Sequence, residues 1–188
     1  MSYAERRRFL WILFFAALAL LAAVANATTL VRLRFENLAQ QATAVARVRC
    51  LGTRSFWENH EIWTETRFAV REQSKGSLPE TIHVRMLGGT IGNLLSRVDE
   101  VPTFREGEEA YLFLWAREGE PFRVLGWSQG TFRIARDART GAETVTQDFA
   151  TVPVFDPAAG KFRHEGIRNL PVAMFQQRLR KAVEGNAP

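Results

Sequence analysis

Ile62-Trp63-Thr64-Glu65-Thr66-Arg67-Phe68-Ala69-Val70-Arg71 alternates residue by residue, with Ile62, Thr64, Thr66, Phe68 and Val70 on one side and Trp63, Glu65, Arg67 and Arg71 on the other. A period of two belongs to an extended strand with one apolar face, so this segment reads as a long, half-buried β-strand. Upstream, Ala44, Ala46, Val48 and Cys50 alternate in the same way and place a first strand at about Thr43 to Thr53. Arg54 to Glu61, between the two, reads as a hairpin connection with Asn59 in the turn. Downstream, Lys75-Gly76-Ser77-Leu78-Pro79 breaks the pattern. Thr81 to Leu87 then resumes it, with Ile82, Val84 and Met86 inward and His83 and Arg85 outward.

Ala110 to Trp115 is apolar at every position, as in a central strand covered on both faces. Phe122 to Trp127 and Thr131 to Arg136 are further strand candidates joined through Ser128-Gln129-Gly130, and Thr144 to Thr146 adds an edge pairing after the Gly141 turn. Short strands at this regular spacing predict a mainly β fold, a small antiparallel OB-like β-barrel. Thr90 to Gly107 keeps no period, and Gly92, Pro102 and Gly107 punctuate it as a covering or functional loop. A short N-terminal helix carries Phe35, Leu38, Ala39 and Ala42 at helical spacing. After an irregular crossing at 150–168, a C-terminal amphipathic helix presents Val172, Phe175, Leu179, Ala182 and Val183 on one face, with Asn169 placed as its cap and Pro171 in its first turn. That helix is expected to be a lid on the barrel, with a partner-binding or membrane-surface helix as the alternative.

The N-terminus has the pattern of a secretory signal peptide. Arg6, Arg7 and Arg8 precede an unbroken apolar run from Phe9 to Ala25, and Ala25-Asn26-Ala27 offers small residues at the cleavage positions, so the mature chain is expected to begin at Thr28. An uncleaved membrane anchor over residues 9–25 is the alternative. Arg6-Arg7-Arg8-Phe9-Leu10 also fits the twin-arginine pattern, although so apolar a core suits the ordinary secretory route better. The expected organisation is therefore a signal peptide at 1–27, a barrel domain at 28–149, and a crossing with the terminal helix at 150–188.

Of the 188 residues, 25 are basic and 20 acidic, a net charge of +5, and the leader takes three of those arginines. So mild a balance argues against a nucleic-acid partner. Cys50 is the single cysteine and falls on the apolar side of its strand, so no internal disulfide staples the domain and the thiol is expected to be buried. His60, His83 and His164 lack zinc-ligand spacing, the serines lack a nucleophile-elbow setting, and Asp99-Glu100 and Glu108-Glu109 are adjacent carboxylates whose side chains diverge. No metal or cofactor is expected. Gly88-Gly89-Thr90-Ile91-Gly92 exposes backbone N–H groups as a phosphate loop would, but no Lys-Ser/Thr follows, and sharp turns explain the glycines better. The aromatics Phe56, Trp57 and Trp63 around one hairpin and Trp127 near another turn are candidate binding residues, together with Gly88, Gly89 and Gly92.

The strand ending in Leu51-Gly52, the long strand with Thr66-Arg67-Phe68-Ala69-Val70-Arg71-Glu72, the Lys75-Gly76 after it, and Gly107-Glu108-Glu109-Ala110-Tyr111-Leu112-Phe113-Leu114 resemble the netrin-like module. This OB-type barrel is shared by netrin and complement C-terminal domains and by tissue inhibitors of metalloproteinases. The same layout also resembles bacterial exported proteins for which no activity is implied. The resemblance covers under half of the mature chain. That family is tied together by disulfides, and its inhibitors set an N-terminal cysteine on the protease zinc, whereas this chain has only Cys50 and an expected start at Thr28. The function expected is a non-enzymatic binding module in the periplasm or outside the cell, with a protein or envelope ligand and with membrane contact only through an uncleaved leader. The alternatives are an inhibitor-like or accessory protein of an exported protease, or an enzyme of unrecognised type.

Overall fold

The computed structural model describes residues 32–151, 153–156, 161–164 and 166–185, and those from Leu33 onward belong to one compact unit. The signal peptide and the Thr28 start lie outside the described residues. The fold is mainly β and antiparallel. β1 (Ala44–Glu58) and β2 (Glu61–Lys75) form a hairpin of two 15-residue strands, and β3 (Thr81–Leu87) pairs along the far side of β2. The short hairpin of β4 (Gly89–Ile91) and β5 (Leu94–Ser96) follows. β6 (Glu109–Trp115) then returns to the free side of β1. The other side of β6 carries β7 (Arg123–Val124) and β8 (Thr131–Arg136), and β9 (Glu143–Gln147) and β12 (Leu170–Pro171) complete the sheet. β10 (Pro153–Asp156) and β11 (Lys161–His164) form a separate hairpin.

The pairing path runs β12-β9-β8-β6-β1-β2-β3 with β7 on β6, and among the described residues no continuous ladder closes it into a ring. The nearest approach to closure is one parallel bridge between Val84 of β3 and Phe122, with the Arg85 N–H donating to Phe122 O over 2.8 Å.

Two apolar layers lie on opposite faces of the central strands. Because successive side chains of a strand point to opposite faces, Ala110, Leu112 and Leu114 enter one core with Ala46, Val48, Cys50, Phe68, Ile82 and Val84. Tyr111 and Phe113 enter the other, beneath α1 (Phe35–Gln41) and α2 (Val172–Glu184). The apolar run expected to be covered on both faces is covered in this way. α2 buries Phe175, Leu179 and Ala182, the expected face, and packs beside α1. Cys50 is buried, and burial pushes its thiol pKa up.

Lys75-Gly76 has a local cause. The Lys75 ammonium donates to Ala39 O and Gln40 O (2.8 and 2.7 Å) at the C-terminal end of α1, where the helix dipole favours a cation. Gly76 has φ +74°, and a Cβ there would stand 2.6 Å from Thr43 O, so no larger residue fits.

Four local expectations are corrected. The β1–β2 strands run on through 54–61 to a two-residue turn, Asn59-His60, with both φ values positive, as the twist-matched hairpin turn requires. Of Phe122 to Trp127 only Arg123–Val124 is a strand, because Gly126 and Trp127 are left-handed (φ 63° and 52°) and lead into the 3-10 turn Trp127–Gly130. The Thr90 to Gly107 loop contains β5 and part of β4. Asn169 does not cap α2. Its N–H and Oδ1 bond the Thr146 hydroxyl instead, and Pro171 precedes the first helical residue.

Candidate functional site

The β1–β2 hairpin extends beyond the helices, and there its inner face changes from apolar to hydroxylated. A register shift between Cys50 and Gly52 absorbs one residue, so Thr53 stands opposite Thr66 and Ser55 opposite Thr64, all on the face that Phe68 and Ile62 share. These four side chains form the floor of a cleft of about 800 Å³. Its walls are the Met86–Thr90 turn and the Leu95–Phe104 segment of the covering loop. Phe104 meets Phe68 edge-on, with ring centroids 5.0 Å apart, and so anchors the loop to the core at the closed end.

Two of the floor hydroxyls, those of Ser55 and Thr64, are bonded, and a third is buried without a partner. The Ser55 and Thr64 hydroxyls lie 2.9 Å apart, and Thr64 Oγ1 donates to Gly88 O over 2.7 Å. Thr66 is completely buried, yet its Oγ1 has no hydrogen-bond partner. A buried hydroxyl without a partner costs about 1–3 kcal/mol, which sets Thr66 apart from the other floor residues.

The candidate residues separate into distinct places. Gly88 and Gly89 line the cleft, and each needs to be glycine: a Cβ on Gly88 would stand 2.8 Å from Ser96 O, and one on Gly89 2.2 Å from Thr64 Oγ1 and 2.4 Å from Ser55 Oγ. Gly92 turns the β4–β5 hairpin at φ +57° with open space around it. Trp57 is 54% exposed near the hairpin turn, and Leu95 on the cleft wall is 72% exposed. Phe56 and Trp63 are cross-strand neighbours on the opposite, outer face, half-buried beneath arginines. Trp127 lies apart from both, on the 3-10 turn whose Ser128 donates to Glu100 of the covering loop.

Of the two adjacent carboxylate pairs, Glu108 and Glu109 diverge as expected, whereas Asp99 and Glu100 both line the larger cleft. Glu108 accepts from Arg133 (2.7 Å) on one side of the sheet, and Glu109 accepts from Arg47 on the other. Arg133 also bonds Asp148 (2.7 Å) beside a smaller cleft lined by Glu100, Thr103 and Ser128, where burial raises the Asp148 pKa. Among the described residues, no three His, Cys, Asp or Glu side chains stand together as a metal-binding group, and no helix is long and apolar enough to cross a membrane.

The floor hydroxyls escaped sequence reasoning, although a signal for them existed. Thr64 and Thr66 occupy the apolar side of an otherwise clean alternation, and a polar residue repeated on a buried face needs an explanation. Comparison of the chain with family models, curated proteins and solved structures gives no match.

Proposed function

We propose that this chain is an exported, non-enzymatic binding module on an OB-like barrel, and that its ligand lies in the hydroxyl-floored cleft. The observation that carries the reading is the unpartnered, buried Thr66 hydroxyl in a cleft of ligand size. The floor holds hydroxyl donors and acceptors, and Arg97, Asp99 and Glu100 stand on the wall, which suits a polar ligand. The barrel part of the reading draws on the β6-β1-β2-β3 succession and on the Val84 to Phe122 bridge, which together bring five segments nearly full circle around the first core.

Thr66→Val separates function from stability. The substitution keeps the shape and removes the unpartnered hydroxyl, so the free protein is expected to gain about 1 kcal/mol, read as a higher urea midpoint. Molecules retained from a native envelope extract by the wild-type protein, and identified by mass spectrometry, should be lost. Equal retention by the variant removes the cleft from the reading, and a lowered midpoint shows that the hydroxyl already has a partner. Export is tested by N-terminal sequencing of the mature product. Thr28 is expected as the first residue, and a retained Met1 overturns cleavage.

A further inference from the structure

The outer face of the β2–β3–β7 region carries a cation that no carboxylate among the described residues balances. The bridge between Val84 and Phe122, both turned toward the first core, sets Arg85 and Arg123 side by side on the outward face. Arg85 has anionic partners: its Nη1 lies 2.9 Å from Glu58 Oε1 and its Nε 3.7 Å from Glu65 Oε2. Arg123 has none among the described residues. Its guanidinium is held instead by two indoles, 5.2 Å from the Trp63 ring and 5.8 Å from that of Trp115. The Nε atoms of Arg85 and Arg123 are two of the three buried side-chain polar atoms without a hydrogen-bond partner among the described residues, and they belong to neighbouring side chains.

Buried N–H donors are almost always matched by an acceptor, and a guanidinium fixed in plane by aromatic rings offers its fork of donors in one orientation. We propose that Arg123, with Arg85 beside it, forms a binding site for a carboxylate-bearing ligand, separate from the hydroxyl cleft on the opposite face of β2. A carboxylate is planar and matches the fork in a bidentate manner. It is also singly charged, which suits a site where Glu58 and Glu65 already balance Arg85, whereas a doubly charged phosphate would meet those two carboxylates. The carboxylate can come from a free small acid or from the C-terminus of a peptide, and the two sources are told apart by experiment.

The Arg123 Nε–H resonance is followed by NMR in the full mature chain while sodium acetate is added, with sodium chloride at matched ionic strength as the control. A saturable shift in the millimolar range with acetate only is expected. Arg123→Gln should weaken the binding, read from the Trp side-chain resonances, about tenfold or more, since a charge-assisted hydrogen bond is lost. Arg123→Lys keeps the charge but loses the fork, and should fall between. Arg180→Gln on α2 should change nothing. Tighter binding of a peptide with a free C-terminus than of its amidated form or of acetate assigns the peptide source, and equal binding of that peptide and acetate assigns the small acid. No saturable shift, the same shift with chloride, or tighter binding of inorganic phosphate overturns the proposal. Thr66→Val should leave this titration unchanged, so failure of the cleft and failure of this site are distinguishable.

Discussion

Phe175→Ala is expected to lower stability by about 4 kcal/mol, the range for emptying a large aromatic from a packed core. Phe175 is completely buried and sits at the meeting point of the second apolar layer, with ring centroids 5.6 Å from Phe35, 4.8 Å from Tyr111 and 5.2 Å from Phe132. Those three rings belong to α1, β6 and β8, so one side chain joins the terminal helix to three other elements. Beside it, Gln176 Nε2 donates to Glu72 Oε2 (2.9 Å) and to Tyr111 Oη (3.1 Å), while Tyr111 donates to Glu72. Burial, reinforced by the Glu72 carboxylate, pushes the Tyr111 phenol pKa up to about 12, which keeps it a neutral donor. For a domain of this size the loss corresponds to a fall of roughly 8–15 °C in Tm. Thermal unfolding followed by near-ultraviolet circular dichroism measures it. A change below about 1 kcal/mol would mean that α2 is not part of the cooperative unit.

Arg47→Met is the second large effect, about 2–3 kcal/mol at neutral pH. The Arg47 guanidinium reaches Glu109 Oε2 at 2.5 Å and Glu143 Oε1 at 2.9 Å, and Arg136 adds a 2.6 Å contact to the same Glu143 oxygen. Only 17% of the Arg47 side chain is exposed, so its removal leaves two poorly solvated carboxylates facing each other, and losing one partner of such a group costs more than the group contributes as a whole. The pH dependence has a definite sign. Hydrogen bonds from Arg47 and then Arg136 hold the Glu143 carboxyl at about 2, below its ordinary 4.5. A depressed carboxyl contributes stability that is fully present above 4.5 and is lost as pH falls toward 2. The difference between wild type and Arg47→Met in urea unfolding should therefore be largest at pH 7 and shrink steadily from pH 4.5 to pH 2. A difference independent of pH would show that Arg47 acts through its packing alone.

Much of the fold was legible because the signals were local. Ile62 to Arg71 alternates cleanly, Thr81 to Leu87 is observed with the bounds expected of it, and the apolar stripe of α2 is the stripe it buries. What failed was set by distant partners. Trp127 fits a strand pattern until the left-handed Gly126 before it is known, and Asn169 fits a helix cap until Thr146, 23 residues away, takes its bonds. The candidate sites divide in the same way. Gly88 and Gly89 were legible as turn glycines, and they line the cleft. Phe56 and Trp63 were legible as a cluster, but the arginines that cover them come partly from β3 and β7, beyond the reach of any short window. Arg123 itself was invisible, because its meaning depends on Trp63 sixty residues earlier.

The 15-residue length of β1 and β2 has a mechanical consequence. At their root the two strands are held between the layers of Phe68 and Leu112 on one side and of Val45 and Phe113 on the other, so amides there are expected to be the slowest to exchange in hydrogen–deuterium exchange. Toward Asn59 and His60 the sheet narrows, and exposed Trp57 marks the end of dense packing. One continuous pair of strands thus runs from a densely packed base to an open tip, like a cantilever. The hydroxyl floor lies across that transition, between the packed base and the exposed turn.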